Sequence, residues 1–158
     1  YNMTPAPSLR HQQILGAIHN QFYNYLADKK CEAYFAPFVV RLLMAEEEDQ
    51  DVSTVVQPDL GVCDQDKLDE RGCKGAPELV VEIVSPASAG RDRKVKRDLY
   101  EKHGVKEYWL VDYSGNTVEA YLLNDNGQYG KSDVYTDQEM VPVSIFADLE
   151  IDLERVFN

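Results

Sequence analysis

Apolar runs are short in this chain of 158 residues: none approaches the roughly 20 residues needed to cross a bilayer, so no membrane helix is expected. The opening residues, YNMTPAPSLRHQ, have no basic region followed by an apolar one, which argues against a signal peptide. Tyr1 rather than Met leads the chain, and residues before it are expected to be missing. Cysteine is scarce and odd in number: Cys31, Cys63 and Cys73 are too few for a disulfide framework in a chain of this size, and they point to a reducing, cytoplasmic setting. Cys63 and Cys73 are not a close pair in sequence, and His11, His19 and His103 are scattered, so zinc-ligand spacing is absent. Positive charge is also in deficit. The formal net charge of −12 excludes a protein that coats duplex DNA by bulk charge.

The charge is unevenly spread. From Arg91 to Lys106 there are seven basic residues against three acidic ones, net +4, which leaves −16 for the rest. Most such runs are solvated helix faces. This one follows two stretches, QPDLGVCD and ELVVEIVSP, that read as strands and carry Asp59 and Glu82 among apolar residues. An acid inside an apolar run is costly unless it is paired or holds a metal.

Length and an apolar content of 44% suit one domain spanning 1–158. Ser8 to about Asp28 reads as a helix capped by Ser8, with Ile14, Ala17, Ile18, Phe22, Tyr25 and Leu26 as its buried stripe. His11 borders that stripe as a polar residue at a helix start, and His19 is expected to face water. Ala33–Met44 reads as a strand bent or placed at an edge by Pro37, and Ala45–Asp51 as a solvated acidic turn without calcium-loop spacing. Thr54–Cys63 reads as a second strand, at an edge or bulged at Pro58, and Asp64–Gly75 as a polar connection. Leu79–Val84 is apolar except for Glu82, so a strand buried on both faces is expected, with Val80, Glu82 and Val84 sharing one face and Ser85-Pro86 ending it.

A helix from about Asp92 to Lys102 follows, with Asp92 as its cap or first-turn acid and Gly104 as its stop. Val95, Leu99 and the stem of Lys102 would pack. Asp92, Lys96 and Tyr100 would form a row beside them, which puts the Lys96 amine within reach of a cleft. Val105–Asp112 and Thr117–Leu123 read as a hairpin across Ser114-Gly115-Asn116, Tyr129–Tyr135 as an edge strand, Val141–Phe146 as an alternating apolar segment, and LERVF as a short helix capped by Asp152. The architecture expected is α+β, α/β/α-like, with a mixed central sheet flanked by the first helix and the Asp92 helix.

The segments HQQI, PDLGV, PELVVEIVSP, the D-x-x-x-K-x-x-x-Y row and GVKEYWLVD occur in one order across nearly the whole chain. Together they resemble the Uma family of bacterial proteins, a branch of the PD-(D/E)XK nuclease superfamily with a restriction-endonuclease-like fold. The resemblance implies a divalent-metal-dependent endonuclease, a hydrolase of phosphodiester bonds in DNA. It makes Asp59 the Asp of the Pro-Asp motif and Glu82 the second acid. The superfamily's usual lysine would fall at Val84, and in this branch the helix supplies it instead, which selects Lys96 over Lys94. Asp59, Glu82 and Lys96 are therefore the implied catalytic residues. Mg2+ or Mn2+ is the implied cofactor, held by Asp59, Glu82 and the backbone carbonyl of Ile83.

Asp92 and Tyr100 would hold Lys96 in place, and Arg91, Arg93, Lys94 and Arg97 would contact nucleic acid. Many superfamily members carry a Glu on the first helix; His11 or Gln12 stands near that place here, which leaves open whether either reaches the site. A homodimer is compatible with cutting two strands. Two other readings stand beside this one: a catalytically inactive nuclease fold kept as a nucleic-acid-binding or protein-interaction module, with Glu82–Lys96 as a structural ion pair, and a phosphodiesterase acting on RNA or a small nucleotide.

Overall fold

A computed structural model describes residues 8–43, 54–84 and 90–158, with the side chains of residues 91 and 92 left aside. Its centre is a six-stranded mixed sheet in the order β1-β4-β7-β8-β9-β10, formed by Cys31–Phe35, Leu60–Asp64, Leu79–Val84, Glu107–Asp112, Thr117–Leu122 and Asp133–Thr136. Within this sheet only β7 and β8 run parallel, since the helix α2 (Gly90–Lys102) carries the chain between them. A four-stranded sheet, β3-β2-β6-β5, is built from Val55–Val56, Val40–Arg41, Gly72–Lys74 and Leu68–Asp69. Strands β11 (Met140–Pro142) and β12 (Glu150–Asp152) form a separate ladder.

Side-chain alternation along the central strands gives the main sheet two apolar faces. Helix α1 (Leu9–Leu26) lays Ile14, Ile18 and Phe22 on one face, against Leu79, Val81, Ile83 and Trp109, and the short helix α3 (Glu154–Phe157) joins that core. The other face carries Val80, Tyr108 and Leu110, packed with Tyr100 of α2 and with Phe38, Val40 and Cys73 from the region of the small sheet. Ser8 caps α1 by accepting a bond from the His11 amide, as the helix start requires. Asp152 takes the Glu154 N–H at the start of α3, and Gly104 closes α2 at φ +80°.

Several sequence expectations are corrected. The stretch from Ala33 divides into β1 and β2, which lie in different sheets on either side of a cis Ala36–Pro37 bond. Thr54–Cys63 is likewise two strands, and β4 is interior, between β1 and β7, rather than at an edge. Pro58 lies outside the ladder, in the crossing from the small sheet to the large one, where its missing N–H costs no strand bond. The connection after Asp64 contains a 3-10 turn, Gln65–Lys67, and the strands β5 and β6. It also brings Cys63 and Cys73, distant in sequence, into thiol–thiol contact, both buried.

On α2, Val95 and Lys102 face solvent while Tyr100 is buried. The packed face is thus the Arg93–Arg97–Tyr100 side, because Tyr100 has a buried acceptor to meet and Val95 does not. His19 does not simply face water: its Nε2 lies 3.0 Å from the Ala33 carbonyl and its ring meets Phe35 edge-on. The segment after Val141 is a strand only as far as Pro142. Met44, the acidic turn Ala45–Asp51, Ser85-Pro86, and the side chains of Arg91 and Asp92 lie outside the described residues.

Candidate active site

Asp59 stands where β4 begins and β1 ends. The Ala36 amide donates to the Asp59 carbonyl at 2.9 Å, which fixes its backbone. The antiparallel register of β4 against β7 stops at Leu60↔Val81, so the next residues, Asp59 and Glu82, meet through side chains instead of a ladder. The Asp59 amide donates to Glu82 Oε1 at 3.1 Å, and the Ile83 amide donates to Asp59 Oδ2 at 2.7 Å. Each carboxylate thus accepts a backbone bond from the other's strand. A strand residue's N–H and C=O point to the same side, so the Ile83 carbonyl also faces the Asp59 side of β7.

Helix α2 supplies the remaining partners. The buried Tyr100 hydroxyl donates to Glu82 Oε2 at 2.9 Å, and Lys96 Nζ lies 3.2 Å from the same oxygen. The four-residue spacing places both on the side of α2 that faces β7. Glu82 is 3% exposed while Lys96 is 52% exposed, so the pair joins a buried acid to a cation still reached by water. Burial pushes the Glu82 carboxyl above its ordinary value, Lys96 opposes the shift, and Asp59 adds to it. The Tyr100 hydroxyl is pushed up by burial and by Glu82, which keeps it a donor.

Sequence reasoning left His11 open, and the structure brings its Nε2 to 3.5 Å from Asp59 Oδ1. Its Nδ1 is buried without a hydrogen-bond partner among the described residues. The clue was its helical phase, three residues before the buried Ile14. Gln12 is exposed. Of the basic residues, Arg93 is tied to Asp112 at 3.1 Å, Lys94 is exposed, and the Arg97 guanidinium lies 5.8 Å from the centre of the Tyr121 ring.

The chemistry of the donor set suits a hard divalent cation: two carboxylates and a backbone carbonyl on one side of β7 are all oxygen donors. No group of three or more His, Cys, Asp or Glu with metal-holding geometry occurs among the described residues, so waters would complete the coordination of any ion here. No described helix is long and apolar enough to cross a membrane.

The family model Uma2, described as "Putative restriction endonuclease", matches residues 1–154. The chain belongs to this family. The match spans every element that builds the site, from α1 with His11 to α2 with Lys96. The Uma2 chain also shares the fold of a crystal structure from Anabaena variabilis ATCC 29413, described as "a putative nuclease belonging to DUF820". The two have a TM-score of 0.75 and 20% identity, over 99% of this chain and 84% of that one. At that identity the likeness is one of fold. No curated protein matches the chain.

Proposed function

We propose that this Uma2 protein is a divalent-metal-dependent endonuclease that hydrolyses phosphodiester bonds in DNA. The observation that carries the reading is the clasp of Asp59 and Glu82, two acids 23 residues apart held together by the Asp59 amide on Glu82 and the Ile83 amide on Asp59. A structural ion pair needs one acid; this arrangement gathers two against a single nearby lysine, at a cost in mutual repulsion.

Asp59, Glu82 and the Ile83 carbonyl would hold Mg2+ or Mn2+. Bound there, the ion would supply a water activated near neutral pH and would neutralise charge on the phosphoryl oxygens. Lys96, half exposed and aimed at Glu82, would orient the attacking water or stabilise the charge that grows in the transition state. Tyr100 positions Glu82 from beneath by its hydroxyl bond. His11 sits against the outer oxygen of Asp59 and would fix its rotamer. The basic side chains of α2, with Arg93, Lys94 and Arg97 described, would meet the strand's backbone, Arg91 would extend that face, and Asp92 would help to hold Lys96 in place. The odd number of cysteines suits a cytoplasmic protein.

Cleavage of supercoiled plasmid and of single-stranded DNA with manganese tests this. Lys96→Ala is expected to lower the rate by about 10²–10³-fold while the protein stays folded and still binds metal. The net charge of −12 favours one rival, an inactive fold kept for binding. Wild-type protein that cuts neither substrate, and shows by calorimetry no manganese binding sensitive to Asp59→Ala, would overturn the nuclease reading.

A further inference from the structure

A pocket of about 240 Å3 opens beside the carboxylates, under the first half of α2. Its walls include Ile83, Val84, Arg93, Lys96, Tyr108 and Leu110. Ile83 and Lys96 belong to the candidate active site as well, so the two spaces adjoin. Among the described residues, the polar side chains of this wall are all donors or cations, and no carboxylate lines it. A neighbouring hollow shares Arg93, Tyr108 and Leu110 and adds Lys94, Arg97 and Glu119; the last already accepts a bond from the Ser132 hydroxyl at 2.6 Å.

Two polar atoms at this pocket are buried and unpartnered among the described residues: the Tyr108 hydroxyl and Arg93 Nε. Tyr108 is only 1% exposed. Native proteins leave few buried polar atoms unsatisfied, and each one calls for a partner. Burial pushes the Tyr108 hydroxyl up, so it remains a protonated donor. Arg93 is steadied through Nη2 by Asp112, and its Nε edge remains unpaired. Both atoms are closed to solvent here, so a ligand reaches them by a local shift of side chains at the pocket wall, a motion of nanoseconds or less.

A hydroxyl donor, a guanidinium edge and an ammonium around one small space complement a tetrahedral oxyanion with several acceptor oxygens. We propose that this pocket holds a phosphate group of the bound strand, next to the phosphodiester positioned at Asp59 and Glu82. The proposal rests on the nuclease reading for its source of phosphate. It assigns to Tyr108 and Arg93 a role in seating the strand.

Tyr108→Phe tests it, because the change keeps the ring and its stacking on Tyr121 and removes only the unpaired hydroxyl. Its thermal midpoint without ligand should equal or exceed that of wild type. Binding is measured by calorimetry, with chelator and no metal, for inorganic phosphate and for one single-stranded oligonucleotide with and without a 5′-phosphate. Tyr108→Phe is expected to weaken binding roughly fivefold to tenfold, the effect of one hydrogen bond. Arg93→Gln should weaken it further, and Lys74→Gln, an equal change of charge on β6, should not. A loss confined to the 5′-phosphorylated strand makes the ligand a terminal phosphate; an equal loss for both strands makes it an internal one.

Wild-type protein that binds none of these probes overturns the proposal, as does binding that Tyr108→Phe leaves unchanged or that Lys74→Gln weakens as much as Arg93→Gln. Because binding is read apart from cleavage, the two claims fail separately. Tyr108-dependent binding by a protein that cuts nothing refutes the nuclease reading alone. Lys96-dependent cleavage with a KM indifferent to Tyr108→Phe refutes the pocket alone.

Discussion

Glu82 and Glu107 lie on adjacent parallel strands of one sheet, both buried, on opposite faces. Glu107 is fully enclosed on the α1 side. Its Oε2 accepts the Trp109 indole N–H at 2.8 Å, and its Oε1 accepts the amides of Ser144 and Ile145 at 2.9 and 3.2 Å. Three neutral donors converge on it, and they tie β8 to the segment that leads into β12. Glu82 has a cation, a second acid and a pocket as neighbours. Burial raises both carboxyls above their ordinary value. A buried, perturbed acid is therefore not in itself a mark of function here. What separates the two is whether the surrounding groups close around the carboxylate or leave it beside a space that a ligand can enter.

The largest expected effect is on turnover. Glu82→Gln should lower manganese-dependent cleavage by about 10³-fold, or about 4 kcal/mol of barrier. Glu107→Gln should leave the rate per folded molecule near that of wild type in the same plasmid assay. Equal losses in the two variants would erase the contrast. Stability should order them the other way. Glu107→Ala strands three buried donors and is expected to cost about 3 kcal/mol or more in urea unfolding at neutral pH. Glu82→Gln removes a buried charge, so it should change stability by about 1 kcal/mol or less, or raise it.

The smallest effect is in the pH dependence. Because both carboxyls are raised in the folded state, that state binds more protons than the unfolded chain between the two pKa values. Their contribution is fully present below the ordinary glutamate value of 4.5 and is lost as pH rises through the folded value. Urea midpoints measured upward from pH 4.5 should therefore fall less steeply for Glu82→Gln than for wild type. An unchanged slope would show that burial of Glu82 is not its source.

The site was legible in sequence to the extent that its residues broke local patterns. Glu82 interrupts an apolar strand, and Lys96 and Tyr100 share a four-residue row, so both signals survive without any knowledge of the fold. Glu107 opens its strand after Lys106, where a charge is ordinarily solvated, and nothing local marks it as buried. His11 is 48 residues from Asp59, and no spacing rule links a helix start to a loop on another element. The orphaned Tyr108 hydroxyl was equally hidden, because an aromatic in a central strand reads as core.

Apolar pattern and end signals by themselves determined that Leu9–Leu26 lies in an amphipathic helix, that Leu79–Val84 is a buried strand, and that a helix and then a strand ending at Asp112 follow it, because such signals are properties of neighbouring residues. Only the tertiary structure decided that β4 is interior, that Val95 faces water while Tyr100 is buried, and that one buried glutamate meets a lysine while the other meets an indole. Those outcomes depend on which faces pack together and where a ladder stops, and burial and charge pairing take their value from neighbours that the chain brings together only when it folds.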